Sequence, residues 1–168
     1  MIVASTFIMI FLMYQLVYEA AHLTFSVNRF VASLVMGAVI TIVMLGFMWS
    51  MYQGVGARIT VLAGAVLLGG VLLYVNRAQS LIDDTRFMRA MIPHHSIVIN
   101  NARKADIRDP HVRELADEII ALQVREIRTM KLLIEDIERS GRRSDTLLPA
   151  RPASVTPDME PRTREAVQ

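Results

Sequence analysis

Two histidines and two methionines lie within eight residues of this 168-residue chain, at Met88, Met91, His94 and His95. Thioether sulfur and imidazole nitrogen form a ligand set for soft transition metals, copper above all. On a helix, Met88, Met91 and His95 share one face because their spacing is i, i+3 and i+7, while His94 points about 100° away. The adjacent pair His94 and His95 raises the case for a metal site, because two neighbouring histidines are hard to bury without partners. Methionines at helical spacing also serve as core packing, and that alternative stays open.

Pro93 lies inside this cluster. It has no amide hydrogen, so a helix through it leaves the carbonyl one turn back, near Arg89, without its usual donor. We therefore expect the helix to bend at the cluster.

The composition indicates a membrane protein. Hydrophobic residues make up 53% of the chain and the mean hydropathy is +0.38, which is too apolar for an ordinary soluble domain. Residues 1–76 carry only three charged side chains. The net charge is +2 and there is no basic stripe, which argues against nucleic-acid binding. Cysteine is absent, so a metal site must draw on His, Met, Gln or carboxylate side chains.

Three apolar runs are long enough to be predicted as transmembrane helices, because spanning takes roughly 17–25 such residues. They cover residues 2–18, 31–52 and 59–75. Short connections make neighbouring helices antiparallel, which places residues 19–30 on the same side as everything after Val75. His22 then shares a compartment with His94 and His95. It lies either at the membrane interface or close enough to join their site.

The orientation of these helices is predicted only weakly by charge. Arg29, Arg77, Arg86 and Arg89 lie near the membrane on the side of the water-facing part, against Arg58 on the other side. The positive-inside rule alone therefore places the water-facing part in the cytoplasm.

Two helices are predicted after the membrane part. The first runs from Ala78 to about Lys104. The second runs from about Pro110 to Arg139, with Asp109 as its N-cap and Gly141 after its end. Its positions Gln123, Glu126 and Met130 are spaced i, i+3 and i+7 and follow one edge. The predicted divisions are thus a transmembrane region (1–76), a helical hairpin (77–140) and a proline-rich disordered tail (141–168).

Two motifs occur in order along the hairpin. They are Asp84-x-x-Phe87-Met88-x-x-Met91-Ile92-Pro93-His94-His95 and Leu115-Ala116-Asp117-x-Ile119-Ile120-x-x-Gln123-x-x-Glu126-Ile127-x-x-Met130. Together they resemble the domain-of-unknown-function family 305 over about residues 80–135, and residues 1–76 resemble its membrane-anchored members. The resemblance implies an all-α, ferritin-like fold and copper binding in an exported setting, which favours the periplasmic side of a bacterial inner membrane over the charge count.

The resemblance also implies roles for individual residues. Met88, Met91, His94 and His95 are the implied copper ligands, with Met130 facing them and with Gln123 and Glu126 as second-shell or auxiliary groups. Longer members build a bundle from two helix pairs, whereas this chain has one. A single pair has little core, so we expect hairpins from two or more chains to pack together as a homo-oligomer.

Three classes of function compete at this point. The leading one is a membrane-anchored protein that sequesters Cu(I) or Cu(II), or hands it to other copper-handling proteins. A di-iron enzyme needs Glu and Glu-x-x-His sets on facing helices, and the first hairpin helix has no glutamate. A structural or accessory subunit, in which these side chains only pack, is the third. Nucleophilic catalysis has no motif here, so we predict that the protein is not an enzyme.

Overall fold

The computed structural model describes residues 2–154, 156 and 157. These residues form five α-helices and no strand, which confirms the all-α prediction. The chain divides into two compact units, which we call the N-terminal unit (residues 1–94) and the C-terminal unit (residues 95–168). The helices are α1 (Ile2–Leu12), α2 (Val27–Phe47), α3 (Val55–Arg77), α4 (Asp84–Lys104) and α5 (Pro110–Ser140), with a 3₁₀ turn at Ala20–His22.

Two helices, α2 and α3, are long and apolar enough to cross a membrane, by length and composition. They have 21 and 23 residues, whereas α1 has only 11. At about 1.5 Å per residue, α1 is roughly 16 Å long, about half the thickness of a hydrocarbon core. The prediction of three spanning helices is therefore wrong for the first apolar run.

Polar side chains explain why α1 ends early although the sequence stays apolar to residue 18. The Arg29 guanidinium donates to the carbonyl of Met13 and lies 4.6 Å from the centre of the Tyr14 ring. The Tyr14 hydroxyl donates to the carbonyl of Thr24 at 3.1 Å. These contacts hold residues 13–24 as an irregular segment beside the start of α2.

Small residues set the packing of α2 against its neighbours. A Cβ atom placed on Gly37 of α2 would lie 2.5 Å from the hydroxyl of Thr6 in α1, so this glycine permits the close approach. A Cβ atom on Gly69 of α3 would lie 3.1 Å from the Cβ of Ala38 in α2. Close packing at small residues is a common way for helices to associate in lipid.

Two hydrogen bonds join the first loop and the first turn of α2 to residues that follow α3. The Thr24 hydroxyl donates to the carbonyl of Arg89 at 2.5 Å, and the Asn28 amide donates to the Gln79 side chain at 2.8 Å. The predicted placement of residues 19–30 on the same side as the chain after Val75 agrees with both contacts.

Helix α4 starts at Asp84, not at Ala78 as the periodicity predicted. Gln79 has a φ of 53°, in the left-handed region, which interrupts a helix continuing from α3. The Asp83 carboxylate then accepts the backbone N–H of Arg86 at 2.8 Å, as an N-capping residue does.

The C-terminal unit is a hairpin of the last ten residues of α4 and the whole of α5. Asp109 accepts the N–H groups of His111 and Val112 at 2.9 and 3.2 Å, and Gly141 follows the helix with a φ of 78°. Both predicted boundary signals are confirmed. Arg113 donates to the carbonyl of Ala102 at 3.2 Å and joins the two helices near the turn.

The tail after α5 has no helix or strand at residues 141–154, 156 and 157. The remainder of the predicted disordered tail, residues 155 and 158–168, lies outside the described residues.

Candidate functional site

The first half of the His/Met motif lies on α4 in the N-terminal unit. Met88 is buried, Met91 is half-buried and His94 is exposed. Ile92 and Pro93 between them are almost fully buried. The helix face predicted from the spacing is therefore turned inward at Met88, and His94 is displaced from that face as expected.

The loop before α2 carries a histidine of the same unit. His22 is buried, with 8% of its surface exposed, and its Nε2 atom lies 3.7 Å from the Glu19 carboxylate. It precedes Thr24, whose hydroxyl binds the Arg89 carbonyl, by two residues. Two residues span at most about 7 Å, so the His22 backbone is held near the turn of α4 that begins the motif.

The second half of the motif lies in the C-terminal unit, where a histidine meets a carboxylate across the hairpin. The Nε2 atom of His95 lies 2.8 Å from the Oε2 atom of Glu126, a hydrogen bond between α4 and α5. The His95 side chain is 12% exposed and that of Glu126 is 42% exposed. The carboxylate of this pair is therefore partly exposed to solvent, whereas the imidazole is largely buried.

The other candidates on α5 lie along the predicted edge. Met130 is buried in the hairpin, together with Ile127 and Ile134. Gln123, one turn before Ile127, is half-buried, and its Oε1 atom is buried without a hydrogen-bond partner in the described part of the chain. An unsatisfied buried amide oxygen is costly. It is the type of group that an added ligand or metal-bound water would satisfy.

These residues suit copper by their chemistry. Metal-binding imidazoles commonly donate their second ring N–H to a carboxylate, and His95 with Glu126 has that arrangement. Within residues 2–154, 156 and 157, no group of three His, Cys, Asp or Glu side chains is gathered as a metal-binding cluster. On the same helix as Glu126, Met130 and Gln123 offer a thioether and an amide oxygen, and copper accepts a thioether beside imidazole.

The structure also adds residues that the sequence interpretation did not select. Thr24 contacts the carbonyl released by Pro93, and Tyr14 holds Thr24 in place. Because Pro93 has no N–H to give to the Arg89 carbonyl, a donor from elsewhere in the fold can take that place. Nothing in the spacing pattern pointed to a residue 65 positions earlier.

Comparison with known families confirms the resemblance of the two motifs. A family model described as "Domain of unknown function (DUF305)" matches residues 82–166, about half of the chain. The chain belongs to the DUF305 family. The matched region starts just before α4 and includes Met88, Met91, both motif histidines and the whole of α5.

A curated relative matches a shorter stretch of the chain. "Uncharacterized protein L153" of Acanthamoeba polyphaga mimivirus is 35% identical over 68 residues, which are 39% of this chain and 45% of that protein. The chain thus spans less than half the length of this relative. No solved structure matches the chain.

Proposed function

We propose that this DUF305 protein is a membrane-anchored copper-binding protein, which sequesters copper or hands it to other proteins of the cell envelope. The observation that carries the proposal is the His95–Glu126 hydrogen bond of 2.8 Å beside a helix edge of polar and thioether groups. The unsatisfied Gln123 oxygen on that edge supports it. Copper is the cargo in this proposal, and no catalytic role is assigned.

The proposed ligand set combines imidazole and thioether groups. Imidazoles accept Cu(I) and Cu(II), whereas thioethers favour Cu(I). Glu126 orients the His95 ring by its hydrogen bond, and Gln123 adds an amide oxygen. The proposed ligands are Met88, Met91 and His94 of the N-terminal unit, with His22 from its first loop, and His95 and Met130 of the C-terminal unit, where Glu126 and Gln123 are supporting groups.

The decisive experiment compares copper binding by the detergent-purified native chain and a His94→Ala/His95→Ala variant. We expect the variant to lose bound copper while circular dichroism shows an unchanged helix content. His111→Ala is the matched control, because His111 is an exposed histidine at the start of α5. Competition with a Cu(I) chelator under reducing conditions, and with a Cu(II) chelator in air, separates the oxidation states. Copper retained in full by the double variant would contradict the proposal.

The role of Glu126 gives a second, graded measurement. Removal of a carboxylate that orients a metal-binding histidine typically lowers metal affinity about 10–100-fold. We therefore expect that range for Glu126→Ala and a smaller loss for Glu126→Gln, which keeps a hydrogen-bonding group.

The proposal places the helical hairpin on the outer face of a bacterial inner membrane, with α2 and α3 in the lipid. The two helices of sufficient length and apolarity support membrane insertion. Because the chain has no cysteine, a Ser144→Cys variant can be labelled selectively in whole cells. We expect a membrane-impermeant maleimide to label it and to spare Ser50→Cys in the loop between α2 and α3. The reverse labelling would place the hairpin in the cytoplasm.

The alternative is a non-catalytic accessory subunit without a metal. It is favoured by the exposed leucines of α5, Leu115, Leu122 and Leu133, which suit a protein contact. That alternative predicts no copper in the native protein and a second protein that stays bound through purification.

A further inference from the structure

We propose that Thr24 is a positioning residue for the proposed copper-binding turn of α4, acting through the carbonyl of Arg89, to which Pro93 has no N–H to donate. Proline at position 93 has no N–H to give to the carbonyl of residue 89, four positions earlier. In this structure the Thr24 hydroxyl donates to that carbonyl at 2.5 Å. The first loop thus supplies a hydrogen bond in place of the one that residue 93 cannot make.

The Thr24 hydroxyl is held by a chain of contacts within the N-terminal unit. The carbonyl of Thr24 accepts from the Tyr14 hydroxyl, and that hydroxyl oxygen accepts the N–H of Ser26, both at 3.1 Å. Ser26 is almost fully buried and its hydroxyl accepts the N–H of Arg29 in the first turn of α2. The Thr24 hydroxyl is therefore held next to the N-terminal start of α2.

The position of this contact explains why it matters for the proposed site. Arg89 lies between Met88 and Met91, and Pro93 directly precedes His94. A helix that contains proline is weakened just at the turn before it, because one hydrogen bond is missing there. The hydrogen bond from Thr24 to the Arg89 carbonyl keeps that turn in one conformation. It thereby fixes the directions of the Met88 and Met91 thioethers and of the His94 imidazole.

The same contact fixes the loop relative to α4. His22 is two residues from Thr24, so its backbone cannot move far from Arg89 while the hydrogen bond persists. This inference rests on the proposed copper function for its binding readout. Its structural part, the dependence of the α4 turn on the Thr24 hydroxyl, can be measured without any metal.

The test compares Thr24→Val, which loses the hydroxyl at similar volume, with Thr24→Ser, which keeps it. The matched control is Thr129→Val, because Thr129 also donates to a helix carbonyl, that of Arg125, at 3.0 Å but not in a proline turn. We expect Thr24→Val to weaken Cu(I) binding by about tenfold, the lower end for supporting groups around a metal. We expect Thr24→Ser to restore native affinity to within about threefold and Thr129→Val to leave it unchanged.

Amide hydrogen exchange of α4 gives the readout that does not need copper. Thr24→Val is expected to speed exchange at residues 86–92 and 94 at least several-fold, and Thr24→Ser to restore the native rates. Pro93→Ala adds the missing N–H to α4. In that background the effect of Thr24→Val on exchange should largely disappear, because neighbouring changes that share one acceptor are not additive.

The outcomes separate the two proposals. Faster α4 exchange in Thr24→Val together with no copper binding by the native chain would leave the positioning role in place and overturn the copper function. Native exchange rates in Thr24→Val, or an effect that persists in full in the Pro93→Ala background, would overturn the positioning role whatever the copper result.

Discussion

The N-terminal and C-terminal units hold their polar groups in different ways. In the N-terminal unit, side chains bind backbone groups that are distant in sequence, as Thr24 does with Arg89 and Arg29 with Met13. In the C-terminal unit, the described side-chain hydrogen bonds are mostly local caps and surface ion pairs. Among the hydrogen bonds of the described residues, those of His95 with Glu126 and of Arg113 with Ala102 join its two helices.

The two units also differ in where their exposed apolar residues lie. Many of those in the N-terminal unit lie on α2 and α3, where the proposed surroundings are lipid. Those of the C-terminal unit lie on the amphipathic helix α5 and at Leu147 and Leu148 after it, where the proposed surroundings are water. Apolar surface is stable in lipid but costs free energy in water. We therefore expect the apolar face of α5 to need a protein partner in water, and helices that lie in lipid to need none.

The largest expected effect is on self-association through α5. Leu115, Leu122 and Leu133 are 52%, 40% and 45% exposed, and their spacing of 7 and 11 residues keeps them on one stripe. A single helix pair buries too little surface to be stable by itself. We therefore propose that this stripe packs against the same stripe of a second copy, next to Glu126 and hence beside the proposed copper site.

Light scattering of the detergent-solubilised protein tests this proposal. We expect the native chain to be a dimer or larger, and Leu122→Lys to be a monomer because a charge would enter the apolar contact. Leu132→Lys is the matched control, since Leu132 is 47% exposed and lies about 100° around α5 from Leu133. A monomeric native chain, or equal dissociation by both lysine variants, would show that the stripe has another role.

The sequence allowed the C-terminal unit to be predicted well because its signals are local. Asp109 before Pro110 and Gly141 after the last turn mark the ends of α5 by rules that involve a few neighbouring residues. The spacing of Gln123, Glu126 and Met130 placed them on one edge. The meeting of Glu126 with His95 depends on how the two helices align, and only the family resemblance suggested it.

The N-terminal unit was predicted less well because its form depends on distant contacts. The apolar run to residue 18 reads as a spanning helix, and its early end at Leu12 depends on Tyr14 contacting Thr24 and on Arg29. The predicted start of α4 was also wrong, because the left-handed conformation of Gln79, which ends the preceding helix, has no signature in the sequence. Asp83 and Asp84 are both suitable capping residues. The role of Thr24 was not predicted for the same reason, because it lies 65 residues from its acceptor, the carbonyl of Arg89.

A smaller effect on stability is expected from truncating one buried side chain in each unit. Its size distinguishes the surroundings of the two units. Ile127 of α5 is 3% exposed and Leu45 of α2 is 7% exposed. Truncation of a buried Ile or Leu to Ala typically costs about 2–5 kcal/mol in a water-soluble core, from lost transfer free energy and from the cavity. We expect Ile127→Ala to fall in that range, measured as the free energy of opening from amide exchange of α5.

Leu45→Ala should cost less, measured in the same way on the amides of α2. Lipid tails are as apolar as leucine, so helices in a membrane gain packing but little transfer free energy when they associate. Leu132→Ala is the control for surface effects, because its side chain is largely outside the hairpin core. Equal losses at Ile127 and Leu45 would mean that α2 and α3 are packed in water, and the assignment of the N-terminal unit to the membrane would then fail.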